Sequence, residues 1–139
     1  MSRKVSEKLT STGRSLWLGH LSRQSIRNGV LRRAIEEWPV TGVAFSPQAV
    51  HHALSETDVY DSTIALKLSR GLYGEALAYS EIIDDVQDAA DLLRPLYKKT
   101  NGADGWVVMP VSPLSTNDNR LLVSEYTRID RLVDRPNTL

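Results

Sequence analysis

The chain has 139 residues, of which 41% are hydrophobic and 24% charged, a composition typical of a folded domain rather than of a disordered segment. Its 17 basic and 17 acidic side chains cancel, which argues against strong electrostatic attraction to nucleic acid or to an anionic membrane. It contains no cysteine, which excludes disulfides and thiolate metal sites. It also has no apolar stretch long enough to span a bilayer, and we expect a cytoplasmic protein that is not membrane-bound.

The N-terminal residues are polar, and we expect a mobile lead over 1–14 followed by a single domain over 15–139. Leu16-Trp17-Leu18 is a short continuous apolar run that ends at Gly19. Such a run is typical of a strand buried on both faces.

Helical spacing of apolar residues follows from Leu21 to Ile35, and Asn28-Gly29 is a point at which this segment can divide into two helices. Val40–Phe45 is predicted as the second strand. Ser46 followed by Pro47 is a helix-start signal, because serine caps free N–H groups and proline at the first helical position loses no hydrogen bond.

Further helices are predicted from Pro47 to about Leu54, from about Val59 to Leu68, and from Glu75 to about Tyr97. The longest carries an apolar stripe, and we interpret the aspartates between Asp84 and Asp91 as its solvated face. Pro95 is expected to kink its last turn.

Trp106–Val111 is predicted as the third strand, followed by a polar loop and a last helix that uses Leu121 to Leu132. Strands separated by helices indicate right-handed parallel βαβ units, and hence an α/β fold.

Five stretches, in order along the chain, resemble the transaldolase family. They are Ser-Leu-Trp-Leu at 15–18, Leu-Ser-Arg at 21–23, Ser-Glu-Thr-Asp-Val-Tyr-Asp at 55–61, Gln-Asp-Ala-Ala-Asp-Leu-Leu-Arg-Pro-Leu-Tyr at 87–97, and Val-Asp-Arg-Pro-Asn at 133–137. The resemblance implies that 15–139 is a partial (β/α) barrel of transaldolase type with about three parallel strands and flanking helices, since a complete barrel takes roughly 250 residues.

Transaldolase chemistry needs a lysine that forms a Schiff base and carboxylates that move protons. The resemblance places the family's two acids at Gly19 and Pro110, and neither residue can exchange a proton. Ser46 stands where the family has an asparagine, and Ala44 where it has a threonine. The family's lysine strand should follow Val-Asp-Arg-Pro-Asn, and the sequence stops before it. We therefore expect no Schiff-base transaldolase activity, and we expect no cofactor.

His20 is the most informative titratable residue, because it follows the first strand and should face the ligand end of the sheet. Because imidazole can exchange a proton near neutral pH, His20 is the candidate catalytic residue, as a general acid or base. The alternative is a loop histidine that caps the next helix. Ser46 is a candidate ligand contact in the same crevice, and its alternative role is the helix cap.

The other polar candidates have ordinary structural alternatives. Ser112, Asn117, Asp118 and Asn119 are candidate ligand contacts for a small polar molecule, although a turn of this composition needs no functional explanation. His51-His52 does not predict a metal site, because adjacent helical side chains point about 100° apart. We expect no metal.

Incompleteness of the barrel is the main indication of function. We expect its inward sheet face to be bare, including Trp17, Val43, Phe45, Val107 and Met109, with Trp17, Phe45 and Met109 as interface residues. The first hypothesis is a non-catalytic transaldolase-like scaffold that forms a homodimer or docks on an unidentified protein partner.

Two alternatives remain open. The chain is a small enzyme recruited to another reaction, which uses His20 on the old ligand face, or it is a truncated remnant that folds only partially. The apolar pattern is intact while the catalytic positions have changed, and this contrast favours a protein that still has to fold.

Overall fold

Three short parallel strands alternate with helices in the computed structural model, which describes residues 8, 9, 11–111 and 117–139. The predicted N-terminal lead includes residues 1–7 and 10, which lie outside the described residues. The elements in chain order are β1 Trp17–Gly19, α1 Arg23–Arg27, α2 Val30–Glu37, β2 Gly42–Ala44, α3 Pro47–Glu56, a 3₁₀ turn Asp58–Tyr60, α4 Asp61–Ser69, α5 Gly74–Lys99, β3 Trp106–Val108 and α6 Asn119–Val133.

Local chemistry explains the helix boundaries. Gly29, with φ 74°, separates α1 from α2, as the Asn-Gly pair predicts. Ser46 has an extended backbone and caps α3, and Pro47 is its first residue. The helix α5 runs through Pro95 and ends only at Lys99.

The strands form one sheet in the order β1-β2-β3, and both pairs are parallel. Leu18, Val43 and Val107 lie side by side across it. This arrangement confirms the predicted α/β fold, a partial barrel of transaldolase type.

Residues 137–139 extend the sheet beyond β3, a pairing that the sequence does not predict. Thr138 forms a parallel bridge with Val107, whose N–H donates to the Asn137 carbonyl at 3.0 Å. The Asn137 side chain is buried and donates to the carbonyls of Ala90 and Gly105, both at 2.9 Å. Asn137 thus joins this segment to α5 and to the start of β3.

One face of the sheet packs against the helices. Val43 and Val107 are 0% exposed, and Phe45 and Met109 are also buried in the core with α5. The expectation that these four side chains are bare is therefore wrong. Alternation along a strand puts them on the helix side, and only Trp17 of the expected interface residues is exposed, at 38%.

The positions that alternate onto the opposite face, which we call the open sheet face, are Trp17, Gly42 and Trp106 in one row and Gly19, Ala44 and Val108 in the next. The Trp106 indole itself packs edge-on against Tyr97 of α5 at 5.1 Å and donates to the Gly102 carbonyl at 2.8 Å. Trp17 lies across Gly42, where an added Cβ would come within 2.6 Å of the indole ring. Part of the open sheet face is thus covered by its own tryptophan.

A buried ionic group joins α1 to α5. Arg23 is 3% exposed, and its Nε donates to Asp85 at 2.6 Å while its Nη1 lies 2.8 Å from Glu81. Both carboxylates are buried, so the interpretation of the acidic side of α5 as wholly solvated is wrong for Asp85. A solvated position was expected because the sequence does not show which helix packs there.

The helix α4 is attached differently, since none of its residues is buried. Its Lys67 Nζ lies 2.6 Å from the Asp84 carboxylate, and its Thr63 hydroxyl donates to Glu81 at 2.8 Å.

Within the described part of the chain, no helix combines the length and the apolar content that crossing a bilayer requires.

Candidate functional site

His20 and Ser46 meet at the C-terminal ends of β1 and β2. Because these strands are parallel neighbours, the residues that follow them emerge at the same edge of the sheet. The His20 Nδ1 lies 3.4 Å from the Ser46 Oγ. The structure therefore brings together two of the residues that the sequence singles out.

Ser46 also caps α3, because its Oγ accepts the Ala49 N–H at 3.2 Å. A hydroxyl can accept one hydrogen bond and donate another, so the cap leaves its proton free to point at His20. At 3.4 Å the contact is at the long end of hydrogen-bond distances.

His20 adopts a left-handed backbone conformation, with φ 57°. For a residue other than glycine this conformation costs about 1–2 kcal/mol, and such residues concentrate at functional sites. The cap of α1 is Ser22, whose Oγ accepts the Ser25 N–H, so His20 is not the helix cap that we weighed as its alternative role.

The loop before α6 has a structural task. The Asp118 carboxylate accepts the N–H groups of Arg120 at 2.8 Å and Leu121 at 3.3 Å, so it caps the helix. Asn117 and Asn119 are exposed like Asp118. Among the described residues, no hydrogen bond joins this loop to His20 or Ser46.

Ser112, the remaining candidate contact, lies outside the described residues. His51 and His52 are exposed on α3, and the His52 Nδ1 lies 3.0 Å from a Glu56 carboxylate oxygen. Over residues 8–9, 11–111 and 117–139, no group of three or more His, Cys, Asp or Glu side chains could hold a metal ion.

No family model matches the chain. It is 38% identical over 132 residues to transaldolase 2 of Streptomyces coelicolor, 36% identical over 135 residues to a transaldolase of Thiobacillus denitrificans, and 35% identical over 129 residues to a transaldolase of Mycobacterium tuberculosis. The chain is related to the transaldolases. These matches cover 95%, 97% and 93% of it, but it spans only 36%, 38% and 35% of the length of those relatives.

In this transaldolase relative, the two positions to which the resemblance assigns the family's acids carry no titratable side chain. Gly19 is exposed, and a Cβ added there would meet nothing within 4 Å. Pro110 offers only its carbonyl, which lies 3.5 Å from the Tyr79 hydroxyl. A Cβ at position 19 would meet open space, so crowding next to the backbone does not explain the glycine.

A buried network of polar side chains, which the sequence did not predict, surrounds Arg23. We call it the Arg23 cluster, and it comprises Arg23, Tyr60, Thr63, Glu81 and Asp85. The Tyr60 hydroxyl accepts the backbone N–H of Arg23 at 3.1 Å and donates to the Asp85 carboxylate at 2.7 Å. Arg23 Nη1 donates to Thr63 at 2.7 Å, and Nη2 donates to the Glu81 carbonyl at 3.1 Å.

Burial dominates the electrostatics of the Arg23 cluster. It raises the pKa of Asp85, with Tyr60 and Arg23 acting in the opposite direction, and it raises the pKa of the Tyr60 phenol, which the hydrogen bond to Asp85 raises further. One local signal existed in the sequence. Glu81 and Asp85 are four residues apart, so they share one face of α5, directly beside its apolar stripe.

Proposed function

We propose that this chain does not carry out Schiff-base transaldolase chemistry and instead acts by docking its open sheet face on a second copy of itself. The observation that supports docking is the composition of that face. The positions that alternate onto it are Trp17, Gly42, Trp106, Gly19, Ala44 and Val108, none of them charged, and the Trp106 indole already has its partners in Tyr97 and the Gly102 carbonyl. A face of this kind gains from leaving water and meets a symmetric copy without like-charge repulsion.

The size of the face limits the strength of this association. Three strands at a spacing of ~4.8 Å, each contributing three residues of ~3.3 Å, make a surface of roughly 140 Å². At about 25 cal/mol per Å² this area contributes about 3.5 kcal/mol per copy, whereas stable dimers bury about 800 Å² per partner. We therefore propose a weak homodimer whose contact reaches beyond the strands.

Light scattering coupled to size-exclusion chromatography tests this proposal. The mass of the wild-type chain should rise from micromolar to near-millimolar concentration, whereas Val108→Lys should stay monomeric. Val123→Lys is the matched control, because Val123 is 66% exposed on α6, away from the sheet. A monomer mass for the wild type throughout the range, or association of Val108→Lys equal to that of the wild type, would refute docking through this face.

The absence of Schiff-base chemistry rests on Gly19 and Pro110, which cannot transfer protons to or from a carbinolamine. Borohydride treatment in the presence of fructose 6-phosphate should leave the mass of the intact protein unchanged. A stoichiometric adduct of the expected mass would contradict this part of the proposal, whatever the oligomeric state.

A second candidate function is favoured by the 3.4 Å contact between His20 and Ser46. In this alternative His20 accepts the Ser46 proton while the hydroxyl attacks the carbonyl of an ester substrate, and then delivers that proton to the leaving alcohol as its bond to the acyl carbon breaks. Water deprotonated by His20 then cleaves the acyl–Ser46 ester, which releases the acid and returns the proton to Ser46. Hydrolysis of p-nitrophenyl acetate above the buffer blank should then fall by roughly 10²-fold or more in His20→Ala, with thermal stability preserved. Equal rates for the wild type, His20→Ala and Ser46→Ala would exclude it.

A further inference from the structure

A polar depression lies between the start of α1 and the outer side of α3, separate from the open sheet face. Its cavity volume is about 340 Å³. This volume is within the ~300–1,000 Å³ range of small-molecule sites. Its polar lining consists of His20, Ser22, Gln24, Gln48, His52 and Thr57.

Small side chains on α3 make room for an occupant. Ala49 and Ala53, four residues apart and hence on the same face of the helix, complete the lining. His20 reaches Ser46 at the beginning of α3, whereas His52 is six residues further along, a rise of ~9 Å. The two imidazoles therefore belong to the two ends of one elongated site.

The charge of the lining decides which ligand fits. Among the described residues that form it there is no Lys, Arg, Asp or Glu. A phosphate ester would lack the cationic partner on which tight recognition of phosphate usually depends, and a hard cation would lack carboxylates. Amide, hydroxyl and imidazole groups instead supply hydrogen-bond donors and acceptors, and the nearby Glu56 carboxylate, which is not part of the lining, pairs with the His52 Nδ1 at 3.0 Å.

We propose that this depression binds a neutral, hydroxyl-rich small molecule, held by hydrogen bonds from His20 at one end and His52 at the other. His20 has a left-handed backbone, which costs a histidine more free energy than it would cost a glycine or an asparagine. A histidine retained in such a conformation is typical of a functional site. The inference needs no chemical step at His20 and is independent of docking through the open sheet face.

Proton NMR of the imidazole C2–H signals tests the proposal with myo-inositol, a neutral probe that has six hydroxyls and no carbonyl. The chain has three histidines, and His51 does not line the depression, so its signal is an internal control. The His20 and His52 signals should shift and saturate with a dissociation constant on the order of 1–10 mM, while His51 stays constant. Because the probe cannot form a Schiff base, the outcome does not depend on the proposed function.

Ala49→Leu should fill the depression and abolish the saturable shifts. Ala65→Leu on the exposed side of α4 is the matched control and should bind the probe like the wild type. The absence of saturable shifts in the folded wild type, unchanged binding by Ala49→Leu, or tighter binding of inorganic phosphate than of myo-inositol would each overturn the proposal.

Discussion

Replacing Arg23 by methionine should show how much the Arg23 cluster contributes to stability. The substitution keeps an aliphatic chain of similar length but removes the guanidinium. The contacts of the guanidinium to the Asp85 carboxylate, to the Thr63 hydroxyl, and to the carboxylate and the carbonyl of Glu81 disappear. Its 3.8 Å approach to Asp84 and its cation–π contact with the Tyr60 ring at 4.3 Å are lost as well. Two buried carboxylates then lose their main cationic partner.

The expected magnitude follows from what stays behind. Removing one partner of a buried ion pair typically costs ~3–5 kcal/mol, because the other charge is left desolvated. Lys67 remains 3.4 Å from Glu81, and the Tyr60 hydroxyl still donates to Asp85. We therefore expect a loss near the lower end, about 3 kcal/mol, which moves the midpoint of urea unfolding by about 1.5–2 M for a slope near 1.5–2 kcal/mol per M.

Urea unfolding followed by circular dichroism is the assay, and Arg128→Met is the control. Arg128 forms a 2.8 Å pair with Glu125 on the surface, with half of its side chain exposed, and such pairs contribute ~1 kcal/mol or less. Adding Asp85→Asn to Arg23→Met should recover part of the loss, because it removes one uncompensated charge. A loss no larger in Arg23→Met than in Arg128→Met would refute this account of the cluster.

Three further predictions concern single side chains. Because the pKa of Tyr60 is raised, its contribution to stability is fully present below the ordinary phenol pKa of ~10 and is lost as pH rises through the pKa of the native state. Absorbance titration should leave one tyrosine un-ionised near pH 11. In Tyr60→Phe no tyrosine should remain un-ionised at that pH. Gly42→Ala should lower the melting temperature by several degrees through its clash with Trp17, while Gly19→Ala, which meets open space, should change it little. His20→Asn should raise the free energy of unfolding by up to ~1 kcal/mol, since asparagine tolerates a left-handed backbone; an unchanged or lower value would argue against strain at this position.

The order of strands and helices could be predicted from the sequence because its signals are local. Apolar runs, the Asn28-Gly29 break and the Ser46-Pro47 cap each act within a few residues. The meeting of His20 and Ser46 also follows, since parallel neighbouring strands end at one edge.

Which face of the sheet meets the helices could not be predicted. Both sets of alternating positions in β2 are apolar, with Val43 and Phe45 on one side and Gly42 and Ala44 on the other, so no polar residue marks the outside. The sizes of the side chains offered a clue, because the larger ones fill the core while the glycine accommodates Trp17.

The Arg23 cluster was beyond local inference for another reason. Its side-chain bonds join residues 40 and 62 positions apart, and each depends on how α1, α4 and α5 pack. Spacing alone places Glu81 and Asp85 on one face of α5, but it does not supply the arginine that pairs with them.

The attachment of α4 by polar contacts gives this helix a response to solvent that the core does not share. Ionic contacts weaken as counterions accumulate, whereas burial of apolar surface does not. In concentrated sodium chloride, amide hydrogen exchange along Asp61–Ser69 should accelerate, while the middle of α5, with Val86, Ala89 and Leu93 at 0% exposure, should remain protected. Ionic strength would then set how often α4 separates from α5.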